Sequence, residues 1–267
     1  MNKSRVLLII PHFNSPNKLE ESIQSINEEI NIDVLIVDDG SSIRPNQKFL
    51  VENYILGDIF FKFLKENGGI GVALNIGLEI ALKKEYELIG RLDCGDLFMK
   101  NKCLKQVIYL DKNEDIKLLG TWANVIDENK RFLYEIKHPT GHSLILKRMY
   151  LNSVFLHPSV IFRSDILHKI GNYPYKYRRA SQDYAFFFKI IKRFESENYP
   201  EFLVNYISEP NSISTKKRKL QVYNRILIII DNFYFGFYPI YGLIRNILLL
   251  FAPRDLTTFL KKLLYKR

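Results

Sequence analysis

The chain has 267 residues, 47% of them hydrophobic and 25% charged, which is enough for one α/β domain with an appendage and is not the composition of a disordered chain. Its net charge of +10 is unevenly placed: residues 216–267 hold eleven Lys/Arg against Asp231 and Asp255, a net +9, and the first 215 residues are near neutral at +1. A nucleic-acid binder carries its basic stripe on the folded domain, so that class is set aside. Cys94 and Cys103, the two cysteines, make neither a disulfide framework nor a metal cluster and suit a reducing compartment.

The opening apolar run, Val6 to Ile10, is too short for a signal-peptide core and is closed by Pro11, so it reads as a first β-strand. Leu19, Ile23, Ile26 and Ile30 then line one helix face, with Ser15 as N-cap and Pro16 at the first helical position. DVLIV (33–37) is an all-apolar strand ending in DDGSS. A third strand at 59–64 leads into NGGIG and a helix to about Lys83, and a fourth, ELIGRL (87–92), ends in DCGD. Apolar strands separated by helices predict a mostly parallel sheet covered on both faces. Ligands of such sheets sit beyond the carboxyl ends of the strands, where PHFN, DDGSS, NGG and DCGD all fall. A helix is expected near Lys102 to Leu110. From about Lys117 the pattern becomes β-rich: KLLGTWANVID, RFLYEIKHP, HPSVIF (157–162) and FLVNYI (202–207) read as strands, and SQDYAFFFKIIKRF (181–194) as a helix.

NGGIGVALNIG, Asn67 to Gly77, with Asp93 beyond it, imitates a dinucleotide fingerprint. That fingerprint normally follows the first strand, and here two strand-helix units precede it. No tyrosine has Lys four residues on, as a short-chain dehydrogenase requires. An NAD(P) oxidoreductase is therefore a minor alternative.

IIPHFN, VDDGSS, ENGGIGVALNIGL, RLDCGD, LHPSVIFR and SQDY, in that order over about residues 4–207, resemble a nucleotide-sugar glycosyltransferase of the GT-A fold, family 2, the large inverting family. The resemblance implies a GT-A Rossmann-like domain over residues 1–215, with a nucleotide-binding half (1–100) and an acceptor half (101–215). It implies a UDP- or dTDP-sugar donor and a lipid-linked or surface-polysaccharide acceptor. Asp38 and Asp39 can accept hydrogen bonds from a base N–H and a ribose hydroxyl, since ionised carboxylates are pure acceptors; alone, DDGSS is also a polar turn with a capping Asp. Pro11 and Phe13 can wall the base, and Asn67 and Gly68 let backbone approach the nucleotide. RLDCGD resembles the family's DxD element, which holds Mg²⁺ or Mn²⁺ on the donor diphosphate. Asp93 is assigned to ribose or metal and Asp96 to metal, with Gly95 where the family usually has a further carboxylate. Arg91 is read as facing the nucleotide, or else as a strand residue reaching solvent.

Asp183 matches the catalytic acidic element, with Gln182 in place of the usual Glu, and is the expected general base. A rival reading is that it only starts a helix whose dipole favours an acid. His157 is placed on the acceptor side, or else is a histidine bonded at a strand entrance, and Trp122 is read as core or acceptor wall. Gly95 and Gln182 also leave a non-catalytic nucleotide-sugar binder at the membrane as an alternative. Residues 216–267 combine apolar and aromatic residues with Lys/Arg. Their longest uncharged run, Asn232 to Ile244, is 13 residues, short of the roughly 20 a spanning helix needs. They are expected to form helices lying on an anionic membrane surface, which places the protein peripherally at the cytoplasmic face of the inner membrane; the rival reading is a helical subdomain that packs on the catalytic core and leaves its lysines solvated.

Overall fold

A computed structural model describes residues 4–209 and 217–252 of the chain. Lys216 and residues 253–267 of the basic tail lie outside the described residues. The strands are β1 (Val6–His12), β2 (Ile32–Asp38), β3 (Ile59–Phe63), β4 (Leu88–Arg91), β5 (Leu97–Phe98), β6 (Ile116–Ile126), β7 (Phe132–Ile136), β8 (Ile161–Arg163) and β9 (Glu195–Ile207). Among the described residues they form one sheet in the order β3-β2-β1-β4-β8-β6-β9-β5, with β7 paired to β6. β1 runs parallel to β2 and β4, and β2 parallel to β3. Beyond β4 the sheet is mixed: β8 is antiparallel to both β4 and β6, and β6 is parallel to β9.

The helices are α1 (Pro16–Gln24), α2 (Gln47–Asn53), α3 (Ile70–Lys83), α4 (Lys102–Lys112), α5 (His142–Met149), α6 (Leu167–Ile170), α7 (Gln182–Ile191), α8 (Arg218–Asp231) and α9 (Phe237–Phe251). β1 and β2 are buried at every position, and their pleat divides the core in two. Leu7, Ile9, Leu35 and Val37 pack with residues of α3, α5, α7 and α8. Val6, Leu8, Ile10, Val34 and Ile36 face α1, α2 and α4. An all-apolar strand has a hydrophobic residue for each layer, so both faces must be covered. α3 comes so close to β1 that a β-carbon at Gly77 would lie 2.6 Å from Ile9 Cγ2; the last glycine of the NGGIGVALNIG stretch is a packing residue.

Several elements differ from the sequence expectation. α1 stops at Gln24, and Ile26 is buried from the following loop. The chain leaves the helix there so that Glu28 can cap α4, accepting the N–H groups of Cys103 (2.8 Å) and Leu104 (3.0 Å). The expected strand at 157–162 begins as a 3-10 turn, His157–Ser159, because Pro158 cannot donate to a ladder. α2 and α5 have no counterpart in the sequence reading; α2 buries one residue and α5 two, too few to make a periodic signal.

The C-terminal helical tail is present. α8 buries Val222, Asn224, Ile228 and Ile229, and the two isoleucines belong to the same core cluster as α7. Tyr150 Oη donates to Asn232 O (2.7 Å), Tyr177 Oη to Asp231 (2.7 Å), and Asn224 Nδ2 to Ala180 O (2.8 Å). No helix of the described residues is long and apolar enough to cross a membrane.

Candidate active site

The carboxyl ends of β1, β2 and β4 carry His12, Asp38 and Arg91, so three of the motifs open on one edge of the sheet. His12 Nε2 accepts the Ser15 N–H (3.1 Å), which places the ring proton on Nδ1, and Nδ1 donates to Asp38 Oδ2 (2.7 Å). The other Asp38 oxygen takes the Ser41 N–H at 2.9 Å. Burial pushes the Asp38 carboxyl up, but Ser41 and the His12 ring outweigh it and hold it below the ordinary carboxylate range. Asp39 reaches across to the glycine loop, and its two oxygens accept the N–H groups of Gly68 and Gly69, each at 2.8 Å. The two adjacent carboxylates thus have different duties: Asp38 fixes the loop after β2, and Asp39 ties the entrance of α3 to that loop. Each oxygen keeps a second lone pair, the capacity a donor N–H or hydroxyl would use.

Pro11 is buried and accepts the Cys94 thiol at its carbonyl (3.3 Å), which joins the PHFN end to DCGD. Phe13 is half exposed at the same edge, and Asn67 and Gly68 are exposed. Asn75 turns away: its amide donates to Tyr173 O (3.0 Å) and accepts the Tyr173 N–H (2.9 Å). Leu74 is core.

Arg91, only 3% exposed, links the two functional ends. Its Nε donates to Asp93 Oδ1, and its Nη1 donates to His157 Nε2 at 2.7 Å. Tyr173 Oη lies 2.9 Å from that same ring nitrogen. With Nε2 accepting, the His157 proton sits on Nδ1, which faces Asp183 Oδ2 at 3.9 Å. Burial, then the charge of Arg91, pushes the His157 pKa well below its ordinary value, so the ring is neutral. Burial also works against the charge on Arg91, but Asp93, Tyr173 and Asp183 outweigh it.

Asp183 lies in the first turn of α7, with a third of its side chain open to solvent. Burial raises its pKa above the ordinary carboxylate value, against the Tyr184 N–H and Arg91, which lower it. A carboxylate held at a helix start with a raised pKa is a competent base.

Asp96 accepts the Ile207 N–H at Oδ1 (2.8 Å), and its pKa is raised well above the ordinary value by burial and then by the charge of Asp93. The buried Asp96 and the partly exposed Asp93 together offer oxygen donors of the kind a hard divalent cation takes. Among the described residues no group of three or more His, Cys, Asp or Glu could hold a metal ion, so a cation here would rest on Asp93, Asp96 and the substrate's own oxygens. Gly95, at φ +106°, has the Lys18–Glu209 ion pair beside it, with Glu209 Oε1 3.5 Å from where a β-carbon would lie. The space next to position 95 therefore already has a carboxylate nearby, supplied from beyond β9.

Trp122 stands apart. Its indole N–H donates to His138 O (2.9 Å) and its ring meets Phe202 at 5.4 Å; no described contact joins it to the network around Arg91. His12 and Tyr173 were not anticipated as members of the site. The position of His12 between Pro11 and Phe13 was a usable signal, whereas nothing local marks Tyr173, which arrives through the fold.

A curled α/β sheet with helices on both faces and acidic loops at the strand ends defines a GT-A fold, and the solved structures agree. S. aureus TarS 1–349 in complex with UDP-GlcNAc superposes with a TM-score of 0.64 at 19% identity, covering 85% of this chain and 66% of that one. The mannosyltransferase PcManGT from Pyrobaculum calidifontis, in complex with GDP-Man and Mn²⁺, gives 0.63 at 15% identity over 100% of this chain and 82% of that one. The sequence matches Glycosyl transferase family 2 over residues 7–171, and an uncharacterised glycosyltransferase of Methanocaldococcus jannaschii is 30% identical over 99% of this chain and 93% of its own length. The chain belongs to glycosyltransferase family 2. Other relatives act in surface-polysaccharide biosynthesis by name. The O-antigen biosynthesis glycosyltransferase WbnJ of Escherichia coli is 30% identical over 59% of this chain and 60% of its own. The E. coli UDP-Gal:alpha-D-GlcNAc-diphosphoundecaprenol beta-1,3-galactosyltransferase is 29% identical over 71% of this chain and 68% of its own.

Proposed function

We propose that this family 2 enzyme is an inverting transferase that moves a sugar from a UDP- or dTDP-sugar to a lipid-linked or surface-polysaccharide acceptor. The observation that carries the reading is the chain Asp93–Arg91–His157–Asp183, which joins a donor-side carboxylate to a poised base through the buried Arg91 and His157. An inverting displacement needs both on opposite sides of the reacting carbon. Asp38 and Asp39 would meet the base and ribose, with Pro11 and Phe13 beside the base and Asn67 and Gly68 giving backbone access. Asp183 takes the proton of the acceptor hydroxyl. The neutral His157 presents an N–H toward it, which steadies the carboxylate without competing for the proton. Asp93 and Asp96 would hold Mg²⁺ or Mn²⁺, which stabilises the charge that develops on the departing diphosphate.

The acceptor class is supported by the name of the E. coli galactosyltransferase, whose acceptor is a diphosphoundecaprenol. A lipid-linked acceptor calls for an enzyme at the membrane, and we place this one peripherally at the cytoplasmic face through residues 216–267. Nucleotide-sugar turnover with Mn²⁺, compared between wild type and Asp183→Asn, tests the reading. Release of nucleoside diphosphate by the wild type, with UDP binding retained and transfer lost in the variant, is expected; equal turnover by the two would end it.

A further inference from the structure

α9 is built inside out. Its buried positions are Pro239, Gly242 and Asn246, a small and polar stripe, whereas Phe237, Ile240, Ile244, Ile247, Leu248 and Phe251 face outward. Their spacing of three or four residues draws one continuous apolar face along the helix. Tyr241, stacked on Phe237 at 5.6 Å between ring centroids, completes it, and no exposed position of α9 carries a charge. The hairpin turn extends the surface with Phe235, 94% exposed. A helix in water normally shows the reverse order, and apolar patches of this kind mark contact surfaces.

The orientation is held by specific contacts. A β-carbon at Gly242 would lie 2.2 Å from Tyr150 O, so the helix meets the body of the protein at van der Waals distance along its small stripe. Asn246 Oδ1 accepts from Arg225 (3.1 Å), and Arg245 donates to Leu151 O (2.8 Å). The polar groups are satisfied within the protein, and turning the helix over would break these bonds.

We propose that the outward face of α9 and the Phe235 turn insert into the interfacial layer of an anionic lipid bilayer. This rests on the membrane placement proposed above and identifies the inserting surface. Charge selects the occupant. Lys217, Arg218 and Lys219 open α8, and the sequence after α9 adds Arg254, Lys261, Lys262, Lys266 and Arg267 against the single acid Asp255. The basic entrance of α8 and the basic sequence beyond α9 favour anionic headgroups over a second copy of the same chain, and Asp231, the acid at the turn, is paired with Lys176 at 2.9 Å. Aromatic side chains at the turn suit the depth where apolar and wet regions meet. The same hairpin also holds the segment entering α7: Lys217 Nζ donates to Arg179 O (3.3 Å) and Asn224 Nδ2 to Ala180 O (2.8 Å), three residues before Asp183. Docking would therefore fix the base-bearing segment relative to the lipid surface.

The test is co-sedimentation of the full chain with phosphatidylcholine vesicles containing phosphatidylglycerol, for the wild type and for an Ile244→Asp/Leu248→Asp double variant. Both changes are on exposed positions, so the melting temperature should be unchanged. The wild type should bind, neutral vesicles should bind at least about tenfold more weakly, and the double variant should lose at least about tenfold in affinity. Donor-sugar hydrolysis in solution should be the same for both proteins, which separates this inference from the transferase reading. Absence of vesicle binding by the wild type, equal binding by the double variant, or a concentration-dependent dimer that the variant abolishes without any lipid binding would overturn it.

Discussion

Replacing Arg91 by Met tests whether the donor end and the base are coupled through one buried charge. Methionine keeps much of the length and the apolar contact while removing the cation. Arg91 is 3% exposed, and the Asp93 side chain is 27% exposed, so Asp93 can recover part of its hydration when the pair is broken. Removing one partner of a fully buried pair costs about 3–5 kcal/mol; discounted for that exposure, a loss of about 2–4 kcal/mol is expected here. For a chain of this size that corresponds to a melting temperature lower by roughly 5–15 °C, read by thermal unfolding without metal. Because Arg91 lowers the Asp183 pKa, its removal lets that pKa rise further. Asp183 acts as a base only when deprotonated, so activity is lost as pH falls through its pKa, and the acidic limb of the rate profile should move to higher pH in the variant. Mn²⁺ should stabilise the variant more than the wild type by supplying positive charge beside Asp93. A melting temperature within about 1 °C of wild type, together with an unmoved acidic limb, would refute the coupling.

Asp183→Asn should lower turnover by about 10²–10⁴-fold, the usual weight of a general base, with UDP affinity by calorimetry within about twofold of wild type. In the wild type, the raised pKa of Asp183 puts the acidic limb above the ordinary carboxylate range. Asp39→Ala removes two charge-assisted bonds to the glycine loop. Gly68 is exposed and Gly69 half-buried, so water replaces part of the loss, and about 1–3 kcal/mol of stability should go, with donor KM rising more than kcat falls in steady-state kinetics. Ile229→Ala, at a fully buried position of α8, should cost about 2–5 kcal/mol by chemical denaturation; a cost below about 0.5 kcal/mol would mean that α8 is detachable from the core.

The parallel half of the fold was legible because the runs Val6–Pro11 of β1 and Val34–Val37 of β2 are apolar throughout and are punctuated by acidic and glycine-rich turns. The mixed half was legible as strands but not as a topology. Nothing local in KLLGTWANVI says that β6 will lie parallel to β9 and antiparallel to β8. The motif residues Asp38, Asp39, Asp93, Asp96 and Asp183 were visible as types at suggestive places. Their internal bonds were not, because Asp39 meets Gly68, and Arg91 meets His157, only after distant strands pair. The tail was readable in composition alone. Which side of α9 faces outward depends on Gly242 meeting Tyr150, a contact between segments about ninety residues apart in sequence.

The most direct test of the central claim is the release of nucleoside diphosphate from a panel of UDP- and dTDP-sugars by the purified full-length protein. The panel is run with Mn²⁺ and an undecaprenyl-diphosphate-linked sugar acceptor, with the anomeric configuration of the product read by NMR. The account predicts turnover of at least one donor with inversion at the anomeric carbon, lost in Asp183→Asn. A product that retains the donor's configuration, or an Asp183→Asn protein as active as the wild type, would contradict it.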